Sequence, residues 1–188
     1  MVMFVRTQRL TLRPGWPEDA PALAQAIGHE SVVRNLSRAP WPYHMEAAET
    51  FLTSFGDPLE PKFLVFEHQG GAVRLIGGMG LSAWKDEPNE LGYWLTPDAW
   101  GRGFATEAAR AVLHAARARG IRRVTAGHFI DNPASGRVLR KLGFQPTGQL
   151  VSIYSRGRGC EAATARYVID LSEDDCGGGN DEDHRMAA

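Results

Sequence analysis

The chain of 188 residues holds two cysteines, Cys160 and Cys176, and no CxxC pair or Cys/His spacing that would hold a metal. Both read as free thiols in a reducing compartment, and no metal is expected. No apolar run approaches the ~20 residues that cross a bilayer, so no membrane partner is expected. No signal peptide is expected either, because Arg6 and Arg9 interrupt the start where an apolar stretch should lie. The expected location is the cytoplasm. Strong charge of one sign is also lacking: the formal net charge is −1. The charge is unevenly placed. From Ser172 onward stand Glu173, Asp174, Asp175, Asp181, Glu182 and Asp183 against Arg185 alone. The rest of the chain is therefore mildly basic, which suits an anionic small ligand. It has no basic stripe, so nucleic acid is not an expected partner.

What is present is an ordinary globular composition, with 43% hydrophobic and 23% charged residues, enough for one core. The expected organisation is a single domain over residues 1–171 and a disordered acidic tail over 172–188, rich in glycine and without aromatics. Thr7 to Arg13 alternates and predicts a strand with one wet face. Helices are predicted from Pro17 to Gly28, over Glu30 to Leu36 and over Met45 to Phe55. Lys62 to His68 and Val73 to Trp84 predict a hairpin around Gly70-Gly71. Gly77, Gly78 and Gly80 inside the second strand predict a bulge or a close backbone approach. Lys85 to Asn89 predicts a turn.

The chain then reads ELGYWLTPDAWGRGFATE from Glu90 to Glu107. An apolar strand breaks at Pro97, glycines follow, and an amphipathic helix runs from Phe104 to Arg119. The first turn of such a helix has free N–H groups and a partial positive charge, which makes a place for an anion. Next come a strand over Arg122 to Phe129, a turn at Asp131-Asn132-Pro133 and a short helix to Leu142. Two strands follow, Gln145 to Tyr154 and Ala162 to Leu171. The order predicts a mixed α/β fold with a partly antiparallel sheet and one crossover between Glu90 and Phe129.

Gly101-Arg102-Gly103 lacks the third glycine of a dinucleotide fingerprint, since Thr106 stands there, and the Lys-Ser/Thr pair of a phosphate loop is absent. Trp100 to Ala105 instead resembles the R/Q-x-x-G-x-G/A signature of the GNAT superfamily of N-acetyltransferases. Asn132 to Phe144, reading NPASGRVLRKLGF, resembles that family's later N-x-x-S…K-L-G-F segment. The run WGRGFATEA, NPAS and the opening RLTLRP are most similar to the ribosomal-protein-alanine branch (RimJ/RimL-like). The resemblance covers about Thr7 to Leu171.

It implies a GNAT fold, α/β, whose mixed and mostly antiparallel central sheet has a splayed strand pair and flanking helices. It implies acetyl-CoA as cosubstrate. Backbone groups of Trp94 and Leu95 would pair with the pantetheine arm. The amides of Gly101, Arg102, Gly103, Phe104, Ala105 and Thr106 would wrap the pyrophosphate, with Arg102 adding charge at the rim. Asn132 would bond the arm and Ser135 would lie near the thioester sulfur. Two positions depart from the pattern. Trp100 stands at the Q/R position. Leu139 stands where many members place a tyrosine that protonates the leaving thiolate, so Ser135 or a water is the candidate acid.

Acetyl transfer to an amine needs a proton acceptor. Glu90 is the first choice, with His128 and Asp131 after it, and the oxyanion would meet the Leu95 N–H. The acceptor site would be built by the N-terminal helices, the Trp41 loop and the Val151–Cys160 hairpin, with Trp41, Tyr43, Trp84 and Tyr154 as wall candidates. The acceptor is either a protein N-terminal α-amine or a small amine such as an antibiotic or polyamine. The rival reading is a non-catalytic acyl-CoA binding module. A monomer and a homodimer are both compatible with the sequence.

Overall fold

The structure, a computed structural model, describes residues 4–56, 61–69 and 71–172. The expected acidic tail, apart from Ser172, lies outside the described residues. Eight strands form one sheet: β1 (Val5–Arg6), β2 (Leu10–Arg13), β3 (Lys62–Gln69), β4 (Ala72–Trp84), β5 (Glu87–Leu95), β6 (Arg123–Phe129), β7 (Gln145–Ser155) and β8 (Cys160–Asp170). Their spatial order is β1-β2-β3-β4-β5-β6-β8-β7, and only the β5–β6 pair is parallel. The helices are α1 (Ala20–Ile27), α2 (Glu30–Val33), α3 (Met45–Leu52), α4 (Phe104–Ala118) and α5 (Pro133–Lys141). This is the expected mixed, mostly antiparallel α/β architecture. No helix among the described residues is long and apolar enough to cross a membrane.

The sheet is covered on both faces, which explains why β3 is apolar at consecutive positions. Phe63 and Val65 join one core cluster with Leu12, Ile76, Leu91 and Leu95 under α4. Leu64 and Phe66 join a second cluster with Leu75 and Trp94 under α1 and α3. Helix α4 meets the first cluster through Phe104, Ala108, Val112 and Ala116, spaced four residues apart as one face requires. Fully burying a side chain such as Phe104 is worth roughly 2–3 kcal/mol, so this face fixes where the helix starts.

Several boundaries differ from the sequence reading. The first predicted strand begins at Leu10, because the Thr7 N–H donates to the Leu10 carbonyl and the Leu10 N–H donates to Thr7 Oγ1, closing a turn. A short β1 precedes that turn. The predicted Lys85–Asn89 turn is tighter, since β5 already starts at Glu87. The glycines of β4 serve both predicted purposes: the register shifts opposite Val65 and Phe66, and a Cβ on Gly78 would lie 2.7 Å from the Trp94 indole nitrogen.

Candidate active site

Strand β5 touches β6 only at Glu90↔Thr125 and Leu91↔Ala126. Beyond that point β5 stays with β4, up to Leu95↔Gly77, while β6 stays with β8, up to Phe129↔Thr164. The sheet therefore parts between Gly92–Leu95 and Gly127–Phe129. Backbone groups alternate in direction along an antiparallel strand. The Thr96 N–H donates to the Ile76 carbonyl at 2.8 Å, which fixes the phase. Thr96, Trp94 and Gly92 turn their backbone groups to β4; Leu95 and Tyr93 turn theirs to the open edge. The expectation for Trp94 is thus corrected. Its carbonyl faces β4, so close that a Cβ on Gly77 would lie 2.3 Å from that oxygen. The Leu95 carbonyl accepts from Trp100 Nε1 at 2.9 Å. What remains on the edge is the Leu95 N–H and both backbone groups of Tyr93.

The parted strand runs directly into the head of α4. Gly101 and Gly103 have φ of 72° and 83°, a region that side chains other than glycine enter only with strain. The first bond that closes the helix is from the Glu107 N–H to the Gly103 carbonyl at 3.0 Å. Among the described residues, the amides from Gly101 to Thr106 donate to no protein group. Six N–H groups at the positive end of a fifteen-residue helix form an anion cradle.

The head of α4 is braced from the turn between β1 and β2. Glu107 accepts from Thr7 Oγ1 at 2.6 Å, from the Arg9 N–H at 3.0 Å and from Arg9 Nε at 2.7 Å. Burial raises the Glu107 carboxyl, but the Thr7 and Arg9 bonds outweigh it and hold it below its ordinary value. The guanidinium groups of Arg9 and Arg102 lie 4.4 and 4.5 Å from the Phe104 ring centroid. Arg102, expected to add charge at the rim, is already paired there. It grips the buried Glu67 with both terminal nitrogens, at 2.5 and 3.3 Å.

Across the gap, Asn132 caps α5, with Oδ1 accepting from the Ser135 N–H at 3.3 Å. Its Nδ2 has no partner among the described residues. Ser135 Oγ lies 2.7 Å from the Tyr93 hydroxyl. Burial pushes the Tyr93 phenol up to about 12, against a smaller lowering by Ser135. Leu139, the position without the familiar tyrosine, is fully buried in the core. A phenol therefore reaches Ser135 from the strand instead of the helix. The sequence reading missed Tyr93. The signal was its alternation with Leu91 and Leu95, which turns all three to one face.

His128 faces the same side as α5. Its Nδ1 lies 2.8 Å from the Phe129 carbonyl, its Nε2 is 3.4 Å from the Tyr167 hydroxyl, and a Cβ on Gly136 would lie 2.6 Å from Nε2. The ring is wedged under the helix. Asp131 is tied at the surface to Arg158 at 2.8 Å and Arg34 at 3.6 Å, and the Arg158 bond holds its carboxyl below the ordinary value.

Glu90 sits on the opposite face. A cavity of ≈ 610 Å³ opens there, walled by α1, α3, the loop before α3 and strands β4 and β5, with Glu90, Tyr43 and Trp84 on its lining. Trp41 and Tyr154, the other expected wall residues, are exposed and lie off that lining. Glu90 Oε2 accepts from Arg166 Nη2 at 2.5 Å, both side chains largely buried, and Oε1 makes no hydrogen bond among the described residues. A side cavity of ≈ 60 Å³ also borders Glu90 and Arg166, room for about one or two waters. Arg166 stands 76 residues from Glu90 in sequence, and no local pattern marks the pair.

A family model described as an acetyltransferase (GNAT) domain matches residues 9–145. The uncharacterized N-acetyltransferase YoaA of Bacillus subtilis is 32% identical over 161 residues, covering 80% of this chain and 87% of the relative. The acetyl transfer enzyme of Salmonella typhimurium that modifies the N-terminal serine of the 50S subunit protein L7/L12 shares the fold. Its TM-score is 0.75 at 20% identity, over 90% of this chain and 99% of that one. The microcin C7 self-immunity acetyltransferase MccE, solved with acetyl-CoA and AMP, gives 0.72 at 15% identity, over 88% and 94%.

Proposed function

The chain belongs to the GNAT acetyltransferase family and is an acetyl-CoA-dependent acyltransferase, and from that premise we propose that it moves the acetyl group directly to a primary amine held in the cavity on the α1–α3 face. The observation that carries this reading is the row of unpartnered amides from Gly101 to Thr106 beside the parted β5–β6 edge. The amides suit a diphosphate. The open backbone groups of Tyr93 suit an extended arm laid along the edge, and Asn132 Nδ2 faces no partner among the described residues and can donate to it.

The two sheet faces then divide the chemistry. The amine nitrogen attacks the thioester carbonyl carbon, a C–N bond forms, and the C–S bond breaks as the tetrahedral intermediate collapses. Glu90 takes the amine proton, directly or through a water in the side cavity, with Arg166 holding the carboxylate in place. The Leu95 N–H meets the oxyanion. The Tyr93–Ser135 hydroxyl pair gives the proton to the leaving thiolate. His128 has no part in this scheme, since its ring packs against Gly136 on the α5 side, although the residue borders the side cavity.

The acceptor is either a peptide α-amine or a small amine. The likeness to the Salmonella enzyme favours the α-amine, and the cavity volume admits both. The catalytic unit is residues 1–171, acting in the cytoplasm. Calorimetry with acetyl-CoA is expected to show saturable binding, and thiol release is expected with members of an amine and peptide panel. A folded sample that binds no acetyl-CoA overturns the proposal.

A further inference from the structure

The acceptor cavity carries two arginines that form no ion pair among the described residues. Arg38 comes from the loop before α3 and Arg156 from the β7–β8 turn, and both line the cavity. Their segments are locked together. The Arg156 N–H donates to the Ser37 carbonyl at 2.9 Å and Ser155 Oγ donates to the Leu36 carbonyl at 2.9 Å. The turn packs so tightly that a Cβ on Gly157 would lie 2.5 Å from Val33 Cγ1. Two exposed arginines on fixed backbone thus line one volume.

Their neighbours are compensated. Arg34 and Arg158 share Asp131, and Arg166 holds Glu90. Arg38 gives one nitrogen to the Ala83 carbonyl at 3.0 Å and stacks 4.6 Å from the Trp84 ring centroid, contacts that orient it without neutralising it. Arg156 has no side-chain hydrogen bond or ion pair among the described residues. Two more charged side chains line the cavity besides Glu90. Glu46, from α3, answers at most one guanidinium, and Lys62, whose Nζ donates to the Ser54 carbonyl at 3.3 Å, is left out of the balance. With Glu90 committed to Arg166, Arg38 and Arg156 outnumber Glu46 among the described lining residues. Bringing like charges to one cleft costs energy that an anionic ligand returns.

Resting on the acetyl-transfer reading above, we infer that the acceptor is a primary amine that also bears a carboxylate or phosphate, its amine directed to Glu90 and its anionic group to Arg38 and Arg156. At ≈ 610 Å³ the cavity holds one small molecule or the first residues of a peptide, so the anionic group belongs within that span. The same charge disfavours a polyamine or any other polycation. Planar guanidinium groups also fit carboxylate and phosphate oxygens two at a time.

Thiol release is to be followed with matched acceptors: the tripeptide amides Ala-Glu-Ala, Ala-phosphoserine-Ala, Ala-Gln-Ala and Ala-Lys-Ala, free glutamate and glutamine, and spermidine. Each acidic member is expected to exceed its neutral partner by about tenfold or more in kcat/KM, chiefly through KM. Whether the peptides or the free amino acids respond tells the two sources apart. Spermidine is expected to be inert. In Arg38→Gln and Arg156→Gln the acidic preference collapses toward one, with acetyl-CoA calorimetry reporting that each variant is folded. If acetyl-CoA binds but neutral or cationic amines are used as well as acidic ones, or no acceptor turns over, the inference fails alone. An unchanged preference in both variants also overturns it. If acetyl-CoA does not bind, the acetyl-transfer reading fails first and takes this one with it.

Discussion

At the head of α4 the proposed binding groups are backbone amides from six consecutive residues. On the α1–α3 face the cavity is lined by side chains from segments as distant as Ile27 and Arg156. A site built from backbone needs only a local conformation: two glycines at positive φ and a helix that starts on cue. Such a site leaves a short signature in the sequence. A site built from side chains needs the whole tertiary structure, and its members need follow no spacing. The first half can be shared by many enzymes that use one cosubstrate, while the second is free to differ with the acceptor.

The largest effect should come from the backbone half. Gly103→Val puts a branched side chain at φ 83° and into the cradle. Acetyl-CoA affinity is expected to fall on the order of a thousandfold, as expected for losing several hydrogen bonds to a charged group at roughly 1.5–3 kcal/mol each. Gly120 gives the control. It has φ 82° at the other end of α4, with open space around its Cβ position. Gly120→Val carries a similar backbone strain of about 1–2 kcal/mol and should leave affinity intact. Equal loss in both variants would mean that strain, and not the cradle, sets affinity.

In the side-chain half, Glu90→Gln should lower kcat on the order of a hundredfold while acetyl-CoA still binds by calorimetry. The glutamine keeps an oxygen for Arg166, so a folded protein is expected, with some stability lost because a buried guanidinium loses its counter-charge. Wild-type kcat in this variant would remove Glu90 from the chemistry.

Between the halves stands the hydroxyl pair. Tyr93→Phe should cost about tenfold in kcat, since Ser135 keeps a hydroxyl at the gap. Adding Ser135→Ala to that variant tests whether the two act as one relay; a relay gives a double variant far from additive. The Tyr93 phenol should titrate by ultraviolet absorbance near 12, well above its ordinary value, so its proton is present across the neutral range. A midpoint near 10 would place the ring in water.

These contrasts also say why the sequence was legible in part. Glycines, prolines and the four-residue spacing of Phe104, Ala108 and Val112 act locally, so the element order and the cradle could be read directly. The phase of β5 could not, because it depends on the Thr96–Ile76 bond across strands; hence Trp94 was assigned the edge that Tyr93 and Leu95 hold. The Tyr93 hydroxyl meets Ser135 from a different element than the usual tyrosine, which only the approach of β5 to α5 reveals. The Glu90–Arg166 pair and the partnering of Arg102 with Glu67 are long-range, at 76 and 35 residues of separation. His128 packs against Gly136 on the α5 side, a neighbour that only the tertiary structure supplies.

The smallest effect concerns how the cradle is held. Glu107 lies in the first turn of α4 and ties it to Thr7 and Arg9, so Glu107→Gln should loosen the brace without touching the amides. The pair is partly solvated, with Arg9 44% exposed and Glu107 19%, and screening leaves about 1 kcal/mol of stability at neutral pH. The sign of its pH dependence follows from the lowered carboxyl. The folded state favours the ionised form, so the stabilisation is full above the ordinary value of 4.5 and is lost as pH falls through the lower folded value. Urea unfolding midpoints of wild type and variant should therefore differ at pH 7 and converge as the medium is acidified below that range. A gap that persists unchanged into acid would mean that shape, and not charge, joins α4 to the first two strands. The cradle would then be as dependent on side-chain packing as the cavity across the sheet.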